Sequence, residues 1–251
     1  YKRINMKKRN ILITGAGRGI GKAIALEFAQ PNNHLILTWN NDKDSANETA
    51  DIIRKKNATV ELHQICLEDS KSISDFCNSF NNKNMPDILV NNAAITQKKD
   101  FLDLTSQDWD RLLFANLRAP FQLCQAVIPS MKKKGWGRIV NISSIGGQWG
   151  GIHQVHYAAS KAAIINLTRS LAKLYSKDGI VSTAIAPGVI DTQMKRESLG
   201  HMPESLISQI PSGRLGTVEE VARAVKYLCS CDAAYLSGTT LNINGGMYFN
   251  S

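Results

Sequence analysis

Short apolar runs recur along the chain and alternate with stretches in which apolar positions return every three to four residues. The runs NILIT (10–14), HLILT (34–38), VELHQI (60–65), DILVNN (87–92), RIVNIS (138–143), IVSTAIA (180–186) and TTLNIN (239–244) read as strands. Most are continuously apolar rather than alternating, as expected of strands covered on both faces. Helical patterns fall between them, near 20–30, 43–56, 70–81, 107–133, 155–177 and 217–230. This β-α-β-α order predicts an α/β fold with a doubly wound parallel sheet of about seven strands and helices on both faces. No linker rich in Pro, Gly or Ser and no internal repeat divides the chain, so residues 1–251 are read as one domain with a flexible N-terminus over 1–7. Segment 188–215 is less regular and carries Gly188, Gly200, Pro203, Pro211 and Gly213. It reads either as a lid over a substrate site or as a surface loop.

The first strand runs directly into TGAGRGIG (14–21), and a helix follows. Gly15 permits a tight turn, Gly19 lets the backbone approach a pyrophosphate, and Gly21 lets helix and strand pack closely. The helix N-terminus adds free amides and a partial positive charge for phosphate. Strand, turn, helix and second strand together are the setting that gives such glycines a dinucleotide meaning. An acid at the end of the second strand would bind the ribose hydroxyls of NAD. Here the place reads LTWNN, with Trp39, Asn40 and Asn41, and the first carboxylate is Asp42. Without that acid, and with Arg18 in the turn to meet a 2′-phosphate, the expected cofactor is NADP(H) in preference to NAD(H).

Further along, YAASK puts Tyr157 and Lys161 one helical turn apart on one face. A cation beside a phenol lowers a pKa that otherwise lies near ~10, and a phenol tuned this way exchanges a proton with a carbonyl or an alcohol near neutral pH. Ser144 stands thirteen residues before Tyr157 and offers a hydroxyl to the same oxygen. Ser143 is its rival; the spacing favours Ser144, with Ser143 pointing back into the sheet.

Composition narrows the setting. The chain has 251 residues, of which 43% are hydrophobic, enough for a large core. No apolar run is long enough to cross a membrane, and the basic, polar opening lacks the apolar core of a signal peptide, so a cytoplasmic location is expected. Five scattered cysteines suit free thiols in a reducing compartment, and the lone Cys229-x-Cys231 pair predicts no metal site. The net charge of +9 suits an acidic cofactor or carrier protein; no nucleic-acid recognition motif accompanies it.

These motifs together resemble the short-chain dehydrogenase/reductase family, over about residues 8–248. The resemblance rests on TGAGRGIG, NNAA (91–94), Asn116 in FANL, NISS (141–144), YAASK (157–161), APG (186–188) and NINGG (242–246). It implies a Rossmann fold. PSGRLGTVEE (211–220) and NGGMY (244–248) look closest to 3-oxoacyl-acyl-carrier-protein reductases, and so to fatty acid biosynthesis. By this resemblance Tyr157 would be the general acid, Lys161 would lower its pKa and bind the nicotinamide ribose, Ser144 would polarise the substrate carbonyl, and Asn116 would hold a water of a proton relay. Gly15, Arg18, Gly19, Ile20, Gly21, Asn40 and Leu67 would border the cofactor. Backbone around Asn91 and Ala93 would border the adenosine ribose, and Pro187, Gly188, Val189 and Thr192 the nicotinamide.

Three departures stand out. Ala94 replaces the last glycine of NNAG. Cys66-Leu67 replaces the Asp-plus-apolar pair that contacts adenine, leaving Leu67 backbone, Asp69 or no residue for that contact. The stretch GGQWGGIHQVH (146–156), which faces substrate in the family, carries Trp149, His153 and His156 and suggests a polar or bulky substrate. His156 is also readable as a packed core residue.

Three functions compete. The first is an NADPH-dependent reductase of an acyl-carrier-bound 3-oxoacyl group, with Lys132, Lys133, Lys134 and Arg138 drawing an acidic acyl carrier protein to the site entrance; the same cations also suit a helix C-terminus. The second is the same chemistry on a sugar or another small-molecule ketone. The third, a non-catalytic nucleotide-binding scaffold, loses ground because Ser144, Tyr157 and Lys161 are all present. Relatives commonly assemble through the two long helices and the last strand. Leu112, Leu113, Ile164 and Leu171 exceed the need of one sheet face, so a homotetramer is expected, measurable by sedimentation.

Overall fold

A computed structural model describes residues 8–81, 83–192 and 204–249. The expected flexible N-terminus over 1–7 and residues 193–203 of the expected lid lie outside the described residues. β1 (Arg9–Ile13), β2 (Asn33–Trp39), β3 (Thr59–Gln64), β4 (Ile88–Asn91), β5 (Gly137–Ile142) and β6 (Ile180–Pro187) lie parallel in one sheet. β7 (Ile190–Asp191) and β8 (Gly216–Thr217) form a small parallel pair of their own. β9 (Thr240–Ile243) joins the large sheet beside β6, completing seven strands in the order β3-β2-β1-β4-β5-β6-β9. The order reverses between β1 and β4, and the crevice beyond the strand ends at that switch is where ligands bind in such sheets.

Helices cover both faces. They are α1 (Gly19–Phe28), α2 (Lys43–Lys55), α3 (Ser70–Asn78), α4 (Ser106–Leu113), α5 (Ala119–Lys134), α6 (Gly146–Trp149), α7 (Val155–Tyr175), α8 (Glu204–Ile207) and α9 (Val218–Leu228). Successive strand residues point to opposite faces. Ile11 and Ile13 therefore join Ile24, Leu35, Leu37 and Val225 in one buried cluster, while Leu12 joins Ile36, Leu89, Leu123 and Val127 in the other. Each central strand feeds two cores at once, which is why its sequence is apolar throughout. Among the described residues no helix is long and apolar enough to cross a membrane.

The helix expected over 107–133 is not one regular helix. A turn of π-helix, Phe114–Arg118, separates α4 from α5, and the Ala119 amide donates to the Phe114 carbonyl. Pro120 follows at the start of α5. It has no N–H to return to the Asn116 carbonyl, so the regular ladder cannot pass this point.

The leucine argument for assembly also changes. Leu112, Ile164 and Leu171 are buried within the chain's own core. Leu113 instead lines an outer groove with Phe114, Leu117, Phe121 and Leu167. Helical periodicity shows that a face is apolar but not which neighbour covers it.

Candidate active site

A cavity of about 590 Å³ opens at the C-terminal ends of the central strands. Gly15, Arg18, Gly19, Ile20 and Gly21 line one end, with Asn40 and Leu67 beside them. Ser144, Tyr157, Lys161, Pro187, Gly188 and Thr192 line the other. Segments far apart in sequence thus meet around one space.

The glycine end is built from backbone. Gly15 has φ +66°, in the left-handed region, and a Cβ there would stand 2.9 Å from the Ala93 Cβ. A Cβ on Gly21 would stand 2.1 Å from the Gly15 carbonyl oxygen, so only glycine lets α1 lie this close to the turn. Around Gly19, by contrast, the atom that a Cβ would first meet is Thr192 Cγ2 at 3.9 Å, leaving space for a ligand against the backbone. The Arg18 side chain does not cap α1, and no acidic residue sits in its first turn. Free amides and a positive helix end therefore face the cavity, which suits a pyrophosphate.

Asn40, Asn41 and Asp42 line the same end. Asp42 is the N-cap of α2 and accepts from the Ser45 amide at 3.0 Å and the Ser45 hydroxyl at 2.7 Å. These bonds, with Arg18 nearby, hold its carboxyl below the usual range. Asp69 caps α3 by accepting from the Lys71 amide at 2.8 Å. Of the candidates at the adenine position, it is Leu67, not Asp69, that reaches the cavity. Ala94 lies on the cavity wall, and Asn57 is the only non-glycine with positive φ among the described residues. The alanine in place of glycine therefore needs no left-handed backbone.

At the other end, α7 presents Tyr157 and Lys161 toward the end of β5. Ser143 is buried and its hydroxyl donates to the Lys161 carbonyl at 2.8 Å, so it ties α7 to the sheet. Ser144 faces the cavity and is hydrogen-bonded to the Tyr157 phenol. Its oxygen also accepts from the Gly146 amide at 3.1 Å. Lys161 is 4% exposed and donates to the Ile142 carbonyl at 2.8 Å. Its Nζ lies 5.6 Å from the centre of the Tyr157 ring.

The electrostatics correct one expectation. In the chain without cofactor the Tyr157 phenol is raised rather than lowered. Burial raises the phenol above its ordinary value, with the Ser144 hydrogen bond pulling the other way. Burial also brings Lys161 down to about 8. Both groups are shifted chiefly by desolvation, which disfavours the charged form of each.

Several expected residues lie elsewhere. Asn91 points away from the cavity: its Nδ2 donates to Asn141 Oδ1 at 2.8 Å inside the sheet. The backbone beside it reaches the cavity at Asn92 and Ala93, and the Asn92 side chain donates to the Thr14 and Gly15 carbonyls at 2.9 and 3.2 Å. Strand alternation separates the two asparagines. Val189 gives its carbonyl to the Gly216 amide and is absent from the lining. Trp149 is half exposed and packs edge-on against Tyr248 at 6.4 Å. His153 pairs with Asp100 at 3.0 Å on the surface; neither it nor Trp149 lines the cavity. Asn116, buried in the π turn, does not line it either. Its Oδ1 accepts from the Ile95 amide and its Nδ2 donates to the Ile95 carbonyl, both at 2.9 Å. That amide is thus spent on fixing the loop after β4.

The basic cluster is also displaced. α5 ends where β5 begins, so Lys132, Lys134 and Arg138 sit at the opposite end of the strands from Ser144. Lys134 pairs with Asp87 at 2.7 Å and Lys132 with Asp178 at 3.4 Å. Arg138 is buried and donates to the Gly137 carbonyl at 2.8 Å. Residues not anticipated from the sequence include Thr96 and Gln154, which both line the cavity; Gln154 Nε2 donates to Thr96 Oγ1 at 2.6 Å.

Comparison with known proteins agrees with this arrangement. The family described as enoyl-(acyl carrier protein) reductase matches residues 15–248. The chain is 37% identical to the 3-oxoacyl-[acyl-carrier-protein] reductase FabG of Aquifex aeolicus, covering 98% of this chain and 99% of the relative. It is 36% identical to FabG of Escherichia coli with the same coverage. Among solved structures, a protein of Beutenbergia cavernae described as a putative NAD(P) dependent gluconate 5-dehydrogenase, with bound NADP, superposes with a TM-score of 0.89. It is 32% identical, covering 96% of this chain and 97% of that one. One of Agrobacterium tumefaciens described as a putative 2-deoxy-d-gluconate 3-dehydrogenase, also with bound NADP, gives 0.87 at 32% identity, covering 98% of this chain and 99% of that one. Matched from the glycine turn to the C-terminal NGGMY, the chain belongs to the short-chain dehydrogenase/reductase family of oxidoreductases.

Proposed function

We propose that the protein reduces a ketone to a secondary alcohol with NADPH, and that the ketone is a 3-oxoacyl group carried as a thioester on an acyl carrier protein. The convergence of Ser144, Tyr157 and Lys161 at one end of a cavity whose other end is the glycine turn carries the reductase reading, and the 37% identity to a 3-oxoacyl-[acyl-carrier-protein] reductase supports the acyl-carrier substrate. The residues present fit a dinucleotide: open backbone at Gly19, the α1 N-terminus for pyrophosphate, and Arg18 with Asn40 for a 2′-phosphate. Once bound, the nicotinamide supplies the hydride. Ser144 holds the carbonyl oxygen. Tyr157 donates its proton to that oxygen and is left a phenolate, which the Lys161 ammonium nearby stabilises until solvent returns a proton through the cavity that Tyr157 lines. A phenol raised above its ordinary pKa stays fully protonated at neutral pH, which suits an acid in the reductive direction.

A second reading, a sugar or other polar ketone, is favoured by the hydrogen-bonded Thr96–Gln154 pair on the cavity wall. One experiment separates them: purified protein with NADPH or NADH, and acetoacetyl thioester or a keto-sugar acid. Oxidation of NADPH with the thioester is expected. Turnover of the keto-sugar acid alone selects the second reading, and no binding of either cofactor overturns both.

A further inference from the structure

The loop that follows β4 forms one wall of the cavity through Ala94, Ile95 and Thr96, yet it pairs with no strand. Along it, Ile95, Gln97 and Lys99 alternate with Thr96, Lys98 and Asp100 in exposure, as in an extended strap lying on the protein. Its place depends on side-chain bonds. Asn116 holds Ile95, Gln154 holds Thr96, and the Lys99 amide donates to the His153 carbonyl at 3.0 Å.

Gln97 holds the middle. Its Nε2 donates to Asp108 Oδ1 at 2.8 Å, and Lys99 Nζ donates to Asp108 Oδ2 at 2.6 Å. Asp108 also closes the capping box of α4. The lysine and these donors hold the Asp108 carboxyl well below the usual range, so it only accepts. That fixes the Gln97 amide with its oxygen toward α7. There His156 Nε2 lies 3.0 Å from Gln97 Oε1. An amide oxygen cannot donate, so the hydrogen is on Nε2. His156 is fully buried, and its Nδ1 has no hydrogen-bond partner among the described residues. Burial disfavours its cationic form, and the ring is held as the neutral Nε2–H tautomer.

We infer that His156 is a positioning residue for the reaction: through Gln97 it sets where the Ala94–Thr96 wall stands opposite Tyr157, the next residue on its own helix. It does not itself line the cavity. The link to catalysis rests on the reductase reading above; the link to the strap does not.

Amide hydrogen exchange of the intact protein tests the strap directly, in wild type, His156→Leu and His156→Gln. Leucine removes the donor; glutamine keeps an N–H of similar reach. For His156→Leu, exchange in peptides covering 94–100 is expected to quicken by about three- to tenfold, the value of one hydrogen bond. KM for the ketone that the protein turns over is expected to rise by about the same factor, with kcat and NADPH affinity changing by less than about twofold. His156→Gln is expected to restore both readouts. Gln97→Leu cuts this bond together with the one to Asp108, so it is expected to quicken strap exchange by more than His156→Leu does; if His156→Leu does not fold, His156→Phe, which also lacks the donor, takes its place. Unchanged strap exchange in the His156 variant that lacks the donor overturns the inference, even if Gln97→Leu loosens the strap, as does a glutamine variant no better than leucine or loosening spread over the whole chain. Should the reductase reading fail, no ketone gives a KM, and the exchange result alone decides.

Discussion

The two ends of the cavity are built by different means. The cofactor end is main chain: Gly15 at φ +66°, Gly21 against the Gly15 carbonyl, and the uncapped start of α1. The substrate end rests on side-chain tethers: Asn116 on Ile95, Gln154 on Thr96, His156 on Gln97, each joining segments 21 to 59 positions apart. A backbone turn admits few substitutions, because a Cβ either fits or collides. A tether admits many, because any donor of the right reach serves. The same fold can therefore keep one cofactor mode while its substrate wall changes. Relatives named for acyl carriers and neighbours named for gluconates accordingly align with this chain over nearly its whole length.

The sharpest way to break the comparison is Tyr157→Phe, since Tyr157 stands where the two ends meet. Removing the hydroxyl while keeping the ring is expected to lower kcat by about 10²–10⁴-fold, the usual worth of a general acid. NADPH affinity, read by fluorescence titration, should stay within about twofold if the cofactor end is independent. Near-normal turnover removes Tyr157 from the acid role, and a lost affinity shows that the ends are not separable.

The same division explains what the sequence told. Strands that feed two cores are apolar at every position, so Ile11, Leu12 and Ile13 announce themselves. Local glycine spacing encodes the turn. Which of the Asn91 and Asn92 side chains faces the cavity is set by the parity of a strand whose register no local pattern fixes. The π turn at Phe114–Arg118 keeps apolar residues on both sides, and only Pro120 hinted at it. The tethers of the strap need both partners' positions in space, so Gln154 and Thr96 gave no signal. The raised phenol arises from burial, and spacing alone suggested the opposite sign.

A smaller effect concerns stability rather than turnover. Lys161 is buried with its pKa near 8, against an ordinary 10.5, so the folded chain carries a charge that burial opposes. Between about pH 8 and pH 10.5 the unfolded chain binds more protons than the folded one, and this group makes stability rise with pH there. Below pH 8 the full penalty is present. Lys161→Met is therefore expected to stabilise the cofactor-free protein by about 1–3 kcal/mol at pH 7 while abolishing turnover. Urea unfolding at pH 7 and pH 9.5 reads it: the gap between variant and wild type should narrow at the higher pH. A variant less stable than wild type at pH 7 shows that the lost bond to the Ile142 carbonyl outweighs desolvation.

The smallest expected effect is the most selective. Arg18 is exposed at the lip of the glycine turn, so its attraction for a 2′-phosphate is screened by solvent. Arg18→Ala is expected to weaken NADPH binding by about tenfold, the modest end of a charge-assisted contact, and to leave NADH binding unchanged. Because Asp42 remains ionised close by and turned to Ser45, removing the guanidinium also leaves one uncompensated negative charge near the phosphate. The NADPH deficit should then shrink as salt is raised, whereas a deficit from a damaged turn would not, since main-chain shape is indifferent to ionic strength. Equal weakening of NADH and NADPH, constant with salt, means that Arg18 serves the turn rather than the phosphate, and any preference for NADPH then has to come from Asn40 and Asn41.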